Sequence, residues 1–332
     1  MNETAGGALD GAQGPDETGL DATESDWREP DWTEPDWTEP GADVLAHRQH
    51  LISLAFRMLG TMAEAEDAVQ ETFVRWYRLS QEERDAIEVP AAWLTRAASR
   101  VCLNVLGSAR WRREAYIGPW LPEPIPAHAV SGFSVAATNP LEQVTLDDTV
   151  STALLLVLES MTPAERVSFV LHDIFAMSFN EIADIVGRTP AACRQLATSA
   201  RRRIQNGRGR QVSRAEHDEV VTAFAAAARS GDIAGLITVL DPEVIWRSDG
   251  GGVVNAARKP VRGADRVASF VVSLLTRNLT GATVREQATP DGLGLVVWDG
   301  GRVIGVVTLE VADGLISEIH AVVNPRKLTL WN

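Results

Sequence analysis

Apolar residues recur at three- and four-residue spacing through most of residues 43–114, which predicts a series of helices. Three segments show the pattern: LAHRQHLISLAFRML, MAEAEDAVQETFVRWYRL and AAWLTRAASRVCLNVLGSARWRRE, with Gly60 and Pro90 as breakers between them. The second helix has acids in its first turns and bases in its last, as the helix dipole favours. Its expected buried stripe consists of Ala65, Ala68, Val69, Phe73 and Trp76.

The two later helices each leave a polar surface outside the apolar stripe. On the second helix this surface is a cluster of Asp67, Gln70, Glu71 and Arg75, a pattern typical of a solvated face. On the third helix the exposed side is basic and is interrupted by aromatic residues, which suits nucleic-acid phosphates and bases. The basic residues are Arg96, Arg100, Arg110, Arg112 and Arg113.

A second helical unit is predicted over residues 139–210. Ser178 followed by Glu181 forms a capping box, Gly187 ends that helix, and Thr189 and Pro190 begin the next one. This is the sequence form of a helix-turn-helix, with a crossing fixed by Ile182, Ala183, Val186, Ala192 and Leu196. The exposed face of its second helix is predicted to contact DNA through Arg194, Gln195, Thr198, Arg201, Arg202 and Arg203.

The final third of the chain changes from helices to strands. Two helices, a strand and another helix are followed by TVREQAT, GLGLVVWD, RVIGVVTLEV and LISEIHAVV, joined by PDG, DGG and ADG turns. That order predicts an α+β unit with a curved antiparallel sheet, and it resembles the SnoaL-like cone. Asp249, His320 and Trp246 are candidates for a catalytic group in its cavity. His320 fits an ordinary strand residue better, so no enzyme activity is predicted.

The acidic balance of the chain is concentrated at its start. The formal net charge is −14, and residues 1–42 hold twelve acids and one arginine, so they account for 11 of those charges. An imperfect Asp-Trp-Thr-Glu-Pro repeat there cannot bury enough apolar surface to fold alone, which favours a disordered, solubilising tail. A competing interpretation is an acidic mimic of DNA.

Other composition features exclude several classes of protein. Cys102 and Cys193 both fall inside apolar helical patterns, which favours buried free thiols over a disulfide or a metal site. No cofactor is expected. The sequence shows neither a signal peptide nor an apolar run of about eighteen residues, so a cytoplasmic protein without a membrane partner is predicted.

The order of these segments resembles a bacterial extracytoplasmic-function (ECF) sigma factor. AEDAVQETFVRWY and PAAWLTRAASRVCLN are similar to sigma region 2, and MTPAERVSFVLHDIFAMSFNEIADIVG is similar to sigma region 4. The resemblance implies that Asp67, Gln70, Glu71 and Arg75 bind the clamp helices of the largest subunit of core RNA polymerase. It also implies that region 2 reads the minus-ten promoter element and that region 4 reads the minus-thirty-five element.

One stretch departs from the family pattern. Within CLNVLGSARWRRE, relatives usually have an acid followed by arginine and a further base, whereas this chain has Asn104, Val105 and Gly107. Asn104 is nevertheless predicted to contact DNA. Either minus-ten recognition differs here, or region 4 supplies more of the electrostatic affinity.

Three short motifs resemble the markers of one group of ECF sigma factors, the group with a fused SnoaL-like domain. They are WLPEP, DGGG and NPRKL, in that order, and the proline-rich first motif is stiff. The resemblance implies that the fused domain regulates the sigma factor from within the same chain. The residues concerned are Trp120, Leu121, Pro122, Glu123, Pro124, Asp249, Gly250, Gly251, Gly252, Asn324, Pro325, Lys327 and Leu328.

The sequence therefore predicts a multidomain protein with two all-α sigma domains and an α+β cone. The expected order is an acidic tail (1–42), region 2 (43–115), a proline-rich linker (116–138), region 4 (139–210), the cone (213–323) and a C-terminal tail (324–332). The predicted function is promoter-specific initiation with core RNA polymerase. The alternative is a free-standing helix-turn-helix regulator whose cone binds a small ligand, and an unidentified ligand in the cone is left open in both cases.

Overall fold

The computed structural model of the chain describes residues 42–114, 116–129, 151–207, 212–277 and 281–332. The acidic tail and the predicted start of the second helical unit fall outside these residues. For residues 42, 43, 109–114, 206 and 207 the structure describes the backbone only. Among the residues described, no helix is both long and apolar enough to cross a membrane.

The first helical unit is built on local capping signals. Its helices are α1 (Ala42–Leu45), α2 (Arg48–Leu59), α3 (Met62–Tyr77), α4 (Gln81–Asp85) and α5 (Pro90–Glu114). Gly60 ends α2 in the left-handed conformation at φ 81°, and the Thr61 hydroxyl accepts the Glu64 N–H to cap α3. Trp76 of α3 meets Trp93 of α5 edge to face, with 5.3 Å between ring centroids, so these two helices pack against each other.

The second helical unit contains the expected helix-turn-helix. Its described helices are α6 (Thr152–Glu159), α7 (Pro163–Phe169), α8 (Phe179–Val186) and α9 (Pro190–Gly207). Thr162 and Ser178 each form a capping box, with Glu165 and Glu181 respectively. Directly after α7 the chain continues as a π-helical turn over Val170–Ile174, so the α-helical hydrogen bonding is interrupted there.

The buried face of α9 differs by one residue from the predicted face. Ala192 and Leu196 are only half-buried. The fully buried positions are Cys193, Ala197 and Ala200. Small side chains at this spacing let α9 lie close against α7, and counting cysteine as a small apolar residue would have given the observed face.

The two helical units share one hydrophobic core. A single cluster of buried residues includes Leu51 and Leu94 of the first unit and Leu158 and Ile182 of the second. Arg166 of α7 is buried at this junction and donates to the Met58 carbonyl at 2.7 Å and to the Glu159 carboxylate at 2.6 Å. Burial lowers the pKa of the Arg166 guanidinium to about 9.

The cone domain follows as an α+β unit. Its helices are α10 (Arg214–Ser230), α11 (Ile233–Val239) and α12 (Ala264–Arg277). Its strands are β1 (Leu240–Asp249), β2 (Val261–Arg262), β3 (Thr283–Thr289), β4 (Gly292–Asp299), β5 (Arg302–Ala312) and β6 (Leu315–Val322). Two short 3₁₀ helices, Pro325–Lys327 and Thr329–Trp331, end the chain.

The six strands form one mixed sheet in the order β2-β1-β6-β5-β4-β3. Strands β3 to β6 make the expected antiparallel meander, which confirms the α+β class. One pairing differs from the all-antiparallel expectation, because β1 runs parallel to β6. Only strands joined by a tight turn must be antiparallel, and β1 reaches β6 through α12 and four other strands. Register shifts in β1, β4 and β5 bend the sheet.

The two faces of the sheet pack against different partners. Trp246 and Ile319 are paired across β1 and β6 and belong to the core under the helices of the cone domain. Val306 and Val322 are paired on the opposite face and pack with Leu121, which precedes the cone domain by about a hundred residues. The outer face of the sheet therefore contacts the linker between the helical units.

Candidate functional site

Asp249, at the end of β1, is fully buried and joins three separate segments. It accepts hydrogen bonds from the Leu121 N–H at 2.9 Å, the Tyr116 hydroxyl at 2.5 Å and the Gly251 N–H at 3.0 Å. The Lys327 ammonium lies 2.8 Å from the carboxylate oxygen that accepts the Leu121 N–H. These donors belong to the linker strip (residues 116–126), the glycine loop (residues 249–252) and the C-terminal tail (residues 324–332), so the three predicted motifs meet at one carboxylate.

Lys327 is the buried cation of this junction. Its ammonium pairs with Asp249 and donates to the Leu121 carbonyl. The same nitrogen lies 4.0 Å from the centroid of the Trp120 ring, a cation–π contact. A buried charge is tolerated only with such partners, so the position of Lys327 depends on the linker strip being in place.

The glycine loop allows a close approach of the chain on either side of it. Gly251 and Gly252 have φ values of +64° and +71°. A Cβ at Gly251 would overlap the Asn324 side chain, and one at Gly252 would lie 2.9 Å from the Ile117 Cδ1. Asn324 in turn donates to the Tyr116 hydroxyl at 2.9 Å. Side chains at these two positions would separate the loop from both the strip and the tail.

Leu121 supplies the apolar part of the contact. It is fully buried among Val296, Val306 and Trp331, beneath the outer face of the sheet. The Trp331 Nε1–H donates to the Pro124 carbonyl at 2.8 Å. The leucine of WLPEP is therefore buried more deeply than Trp120, which is only partly buried.

Glu123 connects the linker strip to the first helical unit. Its carboxylate accepts the N–H of Met62, the first residue of α3, at 2.8 Å and the Thr329 hydroxyl at 3.3 Å. Its own N–H donates to the Gly60 carbonyl at 2.8 Å. Burial raises the pKa of the Glu123 carboxyl above its ordinary value. One side chain thus caps a helix of the first unit and contacts the C-terminal tail.

Replacing Glu123 with glutamine is expected to preserve the docked strip, whereas alanine should weaken it by about 1–3 kcal/mol. Glutamine still accepts the Met62 N–H, but alanine leaves this donor unpaired. Because the docked carboxyl has the higher pKa, it holds its proton more tightly than the undocked one, and docking should weaken as pH rises above the ordinary carboxyl value. Hydrogen exchange of residues 116–126 across pH measures both effects, and equal exchange in both variants would refute this assignment.

The predicted DNA contacts of α5 face the second helical unit. Arg96 pairs with Glu181 at 3.0 Å, and Arg100 donates to the Asp184 carbonyl at 3.2 Å. Asn104 is exposed. Arg110, Arg112 and Arg113 lie in the part of α5 whose side chains are outside the description. Two of the proposed contacts are therefore occupied by α8.

The predicted DNA contacts of α9 are more accessible. Gln195 and Arg202 are exposed, and the Arg194 guanidinium lies over the Phe179 ring at 5.2 Å. Arg201 instead makes two hydrogen bonds to Asp173, at 2.6 and 3.1 Å. Thr198 donates to the backbone of its own helix, and Arg203 lies 3.7 Å from Glu165.

Comparison with known proteins identifies the helical units. The family model of sigma-70 region 2 matches residues 44–112, and that of sigma-70 region 4 matches residues 151–204. The ECF RNA polymerase sigma factor SigJ of Mycobacterium tuberculosis is 38% identical over 296 residues, which cover 86% of this chain and 91% of SigJ. The chain belongs to the ECF sigma factors. The predicted family is thereby confirmed.

Two further matches also cover most of the chain. The probable ECF RNA polymerase sigma factor SigI of the same organism is 40% identical over 286 residues, 85% of this chain and 92% of SigI. The crystal structure of SigJ has a TM-score of 0.65 with 35% identity, covering 86% of this chain and 97% of that one. These shares include the cone domain, so the likeness is not confined to the two sigma regions.

The polar face of α3 is open to solvent in this sigma factor. Asp67, Gln70 and Glu71 are exposed, and Arg75 pairs with Glu71 at 2.9 Å. Two apolar side chains not predicted from the sequence extend the same helix surface, since Val74 and Tyr77 are each 37% exposed. An exposed surface with charged and apolar parts is suited to a protein partner.

The three candidates for catalysis in the cone domain do not form a site. Trp246 lies under the helices beside Phe270, on the opposite face of the sheet from His320. Asp249 is engaged by Lys327 and the linker strip. His320 is buried against Glu318 at 3.0 Å. The hypothetical pairing of Asp249 with His320 is therefore not supported by the geometry.

Proposed function

We propose that this sigma factor binds core RNA polymerase through the exposed face of α3 and directs initiation at promoters read by α5 and α9. Membership of the ECF sigma factors supports the general function. The exposure of the α3 face and of Gln195 and Arg202 supports the assignment of the individual surfaces. The contacts with the clamp helices and with the two promoter elements are the parts proposed.

We further propose that the described conformation is inhibited. Reading two promoter elements requires both regions to contact DNA at once, yet Arg96 and Arg100 of region 2 are engaged by α8 of region 4. The engagement of Arg96 and Arg100 by α8 is the main support for an inhibited conformation. The linker strip joins the two regions and is held on the cone domain by Asp249, Lys327 and Leu121. The cone domain therefore keeps the sigma regions closed, and release of the strip opens them.

No chemistry is proposed for the cone domain. Asp249 acts in the junction, and its partner Lys327 is covered by the linker strip. SigJ and SigI, to which the chain is similar, are both named as sigma factors, which supports a role for the domain in transcription. Its part in the proposed function is to bind the linker.

Run-off transcription with purified core RNA polymerase tests the proposed function. Addition of the unaltered chain should produce a low level of promoter-specific transcripts, and the chain should co-purify with core polymerase. A free-standing helix-turn-helix regulator would instead bind duplex promoter DNA without polymerase and add no initiation activity. That second result would favour the alternative.

Charge reversal on α3 should weaken binding to core polymerase. In the variant Asp67→Lys with Glu71→Lys, the fold should be retained because exposed charges contribute little to stability. Co-purification with core polymerase measures the effect, and the same reversal at Glu82 of α4 is the matched control. Equal retention of the α3 variant and the control would contradict this assignment of the surface.

Substitutions at Gln195 and Arg202 of α9 should affect promoter binding in different ways. If Gln195 contacts a base, Gln195→Ala should cost about 1–3 kcal/mol and change the preference for the upstream element. If Arg202 contacts phosphate, Arg202→Ala should weaken all promoters alike and reduce the salt dependence of binding. Binding of the polymerase holoenzyme to a panel of upstream elements measures both, and a sequence-selective effect of Arg202→Ala would show that the faces are assigned wrongly.

A further inference from the structure

A pocket of about 220 Å³ lies between the linker strip and the loop after β1. Ile117 and Gly118 of the strip form one wall, and Ser248, Gly250 and residues 252–258 form the opposite wall. The walls approach closely at the edges, since a Cβ on Gly118 would lie 3.7 Å from the Arg258 Cα. The complete pocket therefore exists only while the strip is docked on the cone domain.

The described lining of this pocket contains one cationic side chain and no acidic one. Arg258 is exposed and makes no ion pair with any described residue. The backbone N–H groups of Asn255, Ala256 and Ala257 also have no hydrogen-bond partner in the described part of the chain. No acidic side chain is among the described lining residues. A guanidinium with no carboxylate among the described lining residues, beside amide N–H groups able to donate, favours an anion.

An apolar rim adjoins these donors. Ile117 is 54% exposed and Val253 is 66% exposed, and both line the pocket. Val254 beside them is 39% exposed. Large apolar side chains left open next to a group of donors provide a surface for the uncharged part of an organic ligand.

We propose that this pocket binds a small organic anion, with its carboxylate or phosphate at Arg258 and an apolar body against Ile117 and Val253. Because the ligand contacts both walls, it binds the docked state and stabilises it by mass action. The regulatory meaning of this binding rests on the proposed function. Under that function, the anion is a signal that keeps the sigma regions closed.

Isothermal titration calorimetry of the full chain with benzoate and with phenyl phosphate tests the site. At least one of these anions should bind, and uncharged benzyl alcohol should not. The anion that binds more tightly identifies the acid group. Arg258→Ala should weaken binding about tenfold or more, because a charge-assisted hydrogen bond is lost. The matched control Lys259→Ala, at an exposed neighbour that does not line the pocket, should bind as the unaltered chain does.

Hydrogen exchange at residues 116–126 gives the second readout, with the same probes and no polymerase. The binding anion should slow exchange in the unaltered chain and in Lys259→Ala, but not in Arg258→Ala. The proposal would be overturned if the anion still bound Arg258→Ala as tightly, or if benzyl alcohol bound equally well. It would also be overturned if saturating the unaltered chain with the anion left hydrogen exchange at residues 116–126 unchanged. These outcomes are independent of transcription, so failure here is distinguishable from failure of the proposed sigma-factor function.

Discussion

Replacing Lys327 with methionine is expected to raise promoter-specific transcription by this sigma factor. Methionine fills much of the same space but leaves the buried Asp249 carboxylate without its cation. Removing one partner of a buried pair typically costs about 3–5 kcal/mol, and about 3 kcal/mol shifts an equilibrium by roughly a hundredfold. Because the linker strip contacts both members of the pair and helps to bury them, the unpaired carboxylate is most costly in the docked state, and the loss acts there. Run-off transcription with core polymerase measures it.

A double-mutant cycle separates the ion pair from other effects of the substitution. Asp249→Asn alone should also release the strip, but Asp249→Asn combined with Lys327→Met should cost less than the sum of the single changes, since no unpaired charge remains. Arg326→Ala, at the exposed neighbouring residue, is the control and should transcribe as the unaltered chain does. Additive effects, or transcription unchanged in Lys327→Met, would contradict the role of the pair.

Replacing Leu121 with alanine should also raise promoter-specific transcription, in this case because apolar packing against the sheet is lost. Leu121 is completely buried against Val306 and Trp331, and removing such a side chain costs about 2–5 kcal/mol. The loss falls on the contact between linker and sheet, because the strands keep their own pairing. Faster hydrogen exchange at residues 116–126 together with raised transcription is the expected result.

The control for this change is the same substitution at an exposed leucine. Leu45, at the end of α1, is 54% exposed, so Leu45→Ala should leave both exchange and transcription unaltered. If Leu121→Ala lowers the unfolding midpoint of the whole chain without faster exchange in the strip, the contact supports overall stability rather than closure. That outcome would contradict the proposal that the contact of Leu121 with the sheet keeps the sigma regions closed.

Features set by local chemistry could be predicted from the sequence. The capping box at Ser178 begins a helix where predicted, because the cap and Glu181 lie three residues apart in the chain. The turns at PDG and DGG likewise place strands β3 to β5. The proximity of WLPEP, DGGG and NPRKL, in contrast, came from a resemblance to a family group and not from the physics of any one motif.

Features set by long-range packing could not be predicted. The parallel pairing of β1 with β6 depends on how the whole cone closes, and no turn specifies it. Tyr116 and Trp331 were missed because each acts through a partner more than 100 residues away, as in the hydrogen bond of Tyr116 to Asp249. The engagement of Arg96 by Glu181 was also missed, since an exposed arginine on a basic helix face has the same sequence pattern whether it meets DNA or an acid.

The distance between α4 and α9, measured by electron–electron double resonance, shows whether the cone domain holds the sigma regions closed. Spin labels at Glu82→Cys and Gln205→Cys report on regions 2 and 4, since both sites are exposed and the two native cysteines are buried. The full chain should show one short distance. A chain ending at Val323 lacks Lys327 and Trp331, and it should show longer and broader distances, as should Trp120→Ala. The same narrow distance in all three proteins would contradict the claim that the cone domain holds the sigma regions closed.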